Sequence, residues 1–176
     1  MKEWQKEHEE TAYKGFRTIN KKTFRLPDGS VKVFDVKMER DVACIFALTP
    51  EEKVVLIRQF RPGPERILTE MPGGEVEPGE TWDAAVAREL KEETGYVPES
   101  LIYLGTSLSC PYTTRIKHNY LALGCRPEAG AALDPEEQTE PFEMPLPEFR
   151  ERLLAGEFPE SDTAFLALAR YDKASL

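Results

Sequence analysis

The pattern of apolar and polar positions changes period several times along the chain, and each change marks an element. Residues 1–14 are polar almost throughout and are expected to form a short helix. From Phe16 to Met38, apolar and polar positions interleave in two runs around Pro27-Asp28-Gly29, a turn triplet that predicts a β-hairpin. Residues 42–48, VACIFAL, are unbroken apolar sequence, the mark of a strand buried on both faces. The turn TPEEK leads to a further strand, VVLIRQFR at 54–61, and a Pro/Gly loop precedes a short one, ILTEMP. The period then lengthens. Pro78 and Gly79 stand before a helical stretch, Trp82 to Thr94, in which Val86 and Leu90 supply the apolar anchor, and Gly95 has the position of a helix C-cap. LIYLGTSLS and HNYLALGC read as strands around the loop CPYTTRIK. A long acidic loop, RPEAGAALDPEEQTE, separates them from two closing helical stretches, LPEFRERLLAG and ESDTAFLALARYD.

Strands first, one central helix, more strands and then helices predict an α/β (α+β) fold, a mixed sheet with helices packed on it. With 176 residues the chain is read as an N-terminal helix and hairpin over 1–40 followed by one domain over 41–176. A formal net charge of −9 argues against a nucleic-acid backbone or an anionic membrane as partner, since either needs a basic face. The charged start MKEWQKEHEE has no apolar core of a signal peptide, and no apolar run is long enough to span a bilayer. Cys44, Cys110 and Cys125 are odd in number and lack metal-site spacing, so they are read as small buried residues in a reducing compartment, the cytoplasm.

The composition becomes informative between Gly73 and Tyr96, where seven acidic residues face two basic ones. Glu89, Glu92 and Glu93 fall at i, i+3 and i+4 of the expected helix and so share one face. Like charges at that spacing repel. Carboxylate oxygens are also what Mg²⁺ or Mn²⁺ prefers, and a divalent cation would remove the repulsion. The bland reading is a solvated glutamate-rich helix face.

The flanking residues decide against it. Gly74 is followed after five residues by Glu80, and after seven more by Arg88-Glu89-Leu90, Glu92-Glu93 and Gly95. This resembles the signature of the Nudix hydrolases, G-x5-E-x7-R-E-U-x-E-E-x-G-U with U a bulky aliphatic residue. Every fixed position is present, and at ordinary residue frequencies chance gives such a match about once in 10⁸ starting points. The last U is Tyr96, aromatic instead of aliphatic. The resemblance implies an α/β/α sandwich and metal-dependent cleavage of a nucleoside diphosphate derivative. It makes Glu89, Glu92, Glu93 and the backbone carbonyl of Gly73 metal ligands, with Gly74, Glu80, Arg88 and Gly95 supporting them.

Features outside the box resemble the branch that hydrolyses ADP-ribose and nucleoside diphosphate sugars: IRQFRPG and LTEMPGG leading into it, Pro111 sixteen residues beyond Gly95, and the helical ending. Arg58 and Arg61 are read as sharing a strand face opposite Phe60, where they would grip a diphosphate. Glu70 would accept hydrogen bonds from a base or ribose, or brace an arginine. Tyr112 and Arg115 are further candidates for substrate contact, and His118 is read as structural. The loop CPYTTRIKHN holds no acid, so the catalytic base is sought in the later acidic loop, at Glu137 or Glu140 with Glu136 behind them, or among the box glutamates Glu92 and Glu93. The resemblance also implies a homodimer joined through the N-terminal strands. Three rivals stay open: a Nudix hydrolase of another diphosphate, a non-catalytic nucleotide-binding Nudix module, and a structural domain with an acidic helix.

Overall fold

The computed structural model describes residues 1–129 and 138–174. They fall into two compact units, one made of Met1–Asp41 with Leu108–Ile116, the other of Val42–Ser107 with Lys117–Leu176.

The first unit is an antiparallel sheet of β1 (Gln5–Lys14), β2 (Thr18–Arg25) and β3 (Val31–Met38) in that order. β1 occupies the segment where a helix was expected. Its residues have no apolar stripe for a helix to bury, whereas the antiparallel register with β2 sets Glu9 opposite Lys22, with Asn20 Nδ2 donating to Glu9 at 2.8 Å. The hairpin therefore has a third strand. Trp4, Phe34 and Tyr112 stack, with Phe34 5.7 Å from Trp4 and 6.3 Å from Tyr112, and Phe24 meets Trp4 and Phe34 edge-on. The segment 112–114 joins as a short parallel partner of β3: the Lys37 amide donates to the Tyr112 carbonyl and the Thr114 amide to the Lys37 carbonyl.

The second unit is built on a mixed sheet. Its strands are β4 (Val42–Leu48), β5 (Lys53–Arg61), β6 (Arg66–Glu70), β7 (Gly73–Glu75), β9 (Ser100–Leu108), β10 (Ile116–Leu123) and β12 (Glu140–Pro145); β8 (Tyr96–Val97) and β11 (Arg126–Pro127) pair separately. The main order is β12-β5-β4-β10-β9, with β6 on β5 and β7 on β4. β4 and β10 run parallel and the other registered pairs antiparallel. Helices α1 (Trp82–Thr94), α2 (Leu146–Leu154) and α3 (Ser161–Ala174) cover both faces. The apolar run of β4 shows why. Cys44, Phe46 and Leu48 point into one core with α2 and α3, while Ala43, Ile45 and Ala47 point into another with Ala85, Val86 and Leu90 of α1. A strand with period two and no polar face must be covered twice.

Of the cysteines, all free, Cys44 and Cys125 are buried and Cys110 is exposed, which corrects the expectation that all three lie inside. Burial pushes the Cys44 thiol up to about 12 and the Cys125 thiol to about 11. Among the described residues no helix is long and apolar enough to cross a membrane.

Candidate active site

β7 and α1 carry the box. Thr81 caps α1 by accepting from the Ala84 amide at 3.3 Å, and Gly95 ends it at φ 74°, its amide donating to the Lys91 carbonyl. The helix buries Ala85, Val86 and Leu90, and the same rotation buries Glu89 and Glu93. Glu92 is left partly exposed.

One guanidinium organises these charges. Arg88 meets Glu80 through two bonds, Nε to Oε1 and Nη2 to Oε2, each 3.0 Å. Its Nη1 donates to Glu89 Oε1 and Glu92 Oε2, each at 2.9 Å, and Nη2 also reaches the Glu75 carbonyl at 3.2 Å. Hydrogen bonds from Arg88 hold the Glu80 carboxyl below its ordinary range; in return Glu80 first, then Glu92 and Glu89, push Arg88 above its own. Glu93 turns away and accepts from the Gly73 amide at 2.8 Å.

The glycines follow from these contacts. A Cβ on Gly74 would fall onto the Glu89 carboxylate, and one on Gly73 would strike the Ala43 carbonyl and the Cys44 backbone; Gly73 is also at φ 152°. Among the described residues no three acidic, histidine or cysteine side chains stand as a closed metal cage. Even so, the donor set suits a hard cation: Glu89, Glu92 and Glu93 present oxygen only, and Glu89 sits in space that opens because residue 74 has no side chain.

The arginines of β5 correct a prediction. Arg58 and Arg61 are three residues apart, so strand alternation sends them to opposite faces and puts Arg58 with Phe60. Arg58 lies over the Phe142 ring at 4.1 Å and donates to Glu140 Oε1 at 3.1 Å. Arg61 Nε donates to Glu70 Oε2 at 2.8 Å, so Glu70, buried, braces an arginine. Thr139 Oγ1 donates to the Glu93 carbonyl at 3.1 Å, tying the residue before Glu140 to α1. Glu136 and Glu137 lie outside the described residues.

Tyr112 and Arg115 belong to the first unit. Arg115, Lys37 and Arg17 all converge on Glu39 Oε1, at 3.1, 2.8 and 3.4 Å, and Thr113 Oγ1 donates to Oε2 at 2.7 Å. His118 is buried in the second unit, stacked 3.9 Å from Trp82.

Sequence reasoning passed over two groups. Tyr120 OH donates to Asp83 Oδ1 at 2.6 Å, tying the start of α1 to β10. Glu160, just before α3, accepts from the Met71 amide at 3.4 Å; burial and then the charge of Glu70 push its carboxyl up to about 7. Neither had a sequence signal, because each pairing joins residues far apart in the chain.

A sheet covered on both faces, with this box on β7 and α1, defines a Nudix protein. Residues 38–167 match the NUDIX domain, and the chain belongs to that family as a hydrolase. It is 30% identical over 142 residues to the ADP-ribose pyrophosphatase of Bacillus subtilis, covering 80% of this chain and 77% of the relative. It is also 33% identical over 125 residues to the methanol dehydrogenase activator of Bacillus methanolicus, covering 70% and 68%. The crystal structure of an ADP compounds hydrolase superposes with a TM-score of 0.82 at 22% identity, covering 99% of this chain and 97% of that one; it supports the fold. Nudix hydrolases generally use divalent metals.

Proposed function

We propose that this hydrolase cleaves the pyrophosphate bond of ADP-ribose or a related nucleoside diphosphate sugar with Mg²⁺ or Mn²⁺. The observation that carries the reading is the crowding of Glu80, Glu89 and Glu92 on the single cation Arg88. Three carboxylates against one guanidinium leave negative charge for a divalent ion to answer. Glu89, Glu92, Glu93 and the Gly73 carbonyl would hold the ion, and Gly74, Glu80, Arg88 and Gly95 keep the turn and the helix end in register. When bound, the ion supplies positive charge that neutralises the diphosphate and acidifies water.

The remaining work falls to the chain. Arg61, held in place by Glu70, contacts the diphosphate, while Arg58 on the other face of β5 pairs with Glu140. The base, Glu140 or Glu137, or else Glu92 or Glu93, takes a proton from water as its oxygen bonds to phosphorus and the bridging P–O bond breaks. ADP-ribose and water then give AMP and ribose 5-phosphate. Thr139's bond to the Glu93 carbonyl supports Glu140, whose carboxylate must leave Arg58 to act. The same reading has residues 1–40 join two copies as a homodimer in the cytoplasm.

The test is product analysis with ADP-ribose, with and without Mg²⁺, beside Glu93→Gln. Metal-dependent AMP release that falls by about 10³-fold in the variant supports the reading. Turnover of dinucleotides or nucleoside triphosphates in place of ADP-ribose would move the substrate class, and tight binding without turnover would make the protein a binding module.

A further inference from the structure

We infer that the outer edge of β9 is a docking site for an extended acidic segment of another protein, added as a further strand. Among the described residues, the sheet of the second unit ends on one side at β12 and on the other at β9. The two ends are built differently. β12, EPFEMP, carries two prolines and two glutamates, residues that keep a sheet edge from pairing with foreign strands. β9 begins SLIYL, with no charge and no proline, and only at Gly105, φ 103°, does the backbone leave ordinary strand geometry. Residues 100–104 therefore offer a regular row of backbone donors and acceptors with nothing in the sequence to discourage a partner.

Exposed apolar side chains stand on both flanks of this edge, joined on one of them by two cations. On the α1 side, Trp82 and Tyr103 are each 46% exposed, their rings nearly parallel at 6.3 Å. On the α3 side a groove of about 260 Å³ is lined by Tyr103, Leu104, Leu166, Ala169, Arg170 and Lys173. Leu166 is 39% exposed there. Charge selects the occupant. In a chain of net charge −9, Arg170 and Lys173 are exposed cations with no ion-pair partner among the described residues. Lys173 also answers the negative end of α3, a weak interaction that leaves its ammonium in solvent. Strand addition takes its affinity from main-chain hydrogen bonds and its specificity from alternate side chains. The fitting segment thus alternates: acids on the side of Arg170 and Lys173, apolar residues over Trp82 and Tyr103. This surface is separate from the acidic box and does not rest on the proposed reaction.

The test uses the full chain and a blocked, fluorescent peptide alternating glutamate and valine, followed by anisotropy. We expect saturable binding, slowed amide hydrogen exchange at 100–104, and affinity about tenfold weaker in the double variant Arg170→Glu/Lys173→Glu, with circular dichroism checking its fold. Methylating every second peptide nitrogen on the pairing side should abolish binding. The inference is overturned if nothing binds, if a lysine–valine peptide binds as well, or if the methylated peptide or the double variant binds unchanged. It is also overturned if the double variant breaks up a self-associated form in sedimentation, because the edge would then serve a second copy of this chain.

Discussion

Two charge clusters in this molecule are mirror images. On α1 one cation, Arg88, gathers the carboxylates of Glu80, Glu89 and Glu92. In the N-terminal unit one carboxylate, Glu39, gathers Arg17, Lys37 and Arg115. Glu39 is more buried than all of its cations, whereas Arg88 is more exposed than Glu80 and Glu89 and less exposed than Glu92. The difference lies in what surrounds them. Glu39 is wrapped by backbone and hydroxyl contacts from Thr113 and Thr114, so its cations staple a loop to the end of β3. Arg88 is surrounded by further acids, with Glu93 beside them on the Gly73 amide. A carboxylate among cations closes a structure. A cation among carboxylates leaves negative charge that suits a second, divalent cation.

The largest effect should come from removing the first centre. Arg88→Ala leaves Glu80, Glu89 and Glu92 without their counter-charge and should cost about 3–5 kcal/mol, read by denaturant unfolding. Added Mg²⁺ should restore more stability to this variant than to the wild type. Equal response in both would mean that Arg88 and the ion do not answer the same charge. Next, Gly74→Ala pushes a methyl group into the Glu89 carboxylate. Affinity for Mn²⁺, measured by calorimetry, should fall tenfold or more, and an unchanged affinity would remove Glu89 from the ligand set.

Glu160 sharpens the comparison, as an acid whose carboxylate accepts from the Met71 amide instead of from a cation. Its folded pKa, raised to about 7, lies above the value of an exposed glutamate, so the folded chain holds its proton more tightly than the unfolded one. Its contribution is most favourable below the unfolded pKa and is lost as pH rises from about 4.5 to 7. Glu160→Gln should flatten that part of the stability–pH curve, by on the order of 2 kcal/mol. A curve of unchanged slope would show that the carboxyl ionises freely. The smallest effect belongs to the second centre. Glu39→Gln should cost about 1–2 kcal/mol, since its cations stay largely hydrated, and should speed hydrogen exchange at 112–114. Exchange unaltered there would show that the loop is held by β3 alone.

What is legible in the sequence and what is not divide along a physical line. The unbroken apolar run of β4, the helix between Thr81 and Gly95, and the spacing of Gly74, Glu80, Arg88, Glu89, Glu92 and Glu93 were legible because each is a local, periodic property. The helix expected over residues 1–14 failed because strand pairing, a long-range partner, outweighed weak local preference. Arg58 and Arg61, expected on one face, lie on opposite faces because a spacing of three separates them. Cys110 is exposed because apolar neighbours in sequence do not guarantee cover in space.

The sequence by itself determined the family, the order of most elements and the identity of the acidic box, since periodicity and fixed spacing survive in one dimension. Only the tertiary structure decided which charges meet: that Arg88 holds three glutamates, that Glu93 turns to Gly73 and that Arg61 spends its charge on Glu70; it also decided that β9 stands last in the strand order among the described residues. Coulomb and hydrogen-bond energies depend on distances of a few ångströms, and folding sets those distances between residues that lie far apart along the chain.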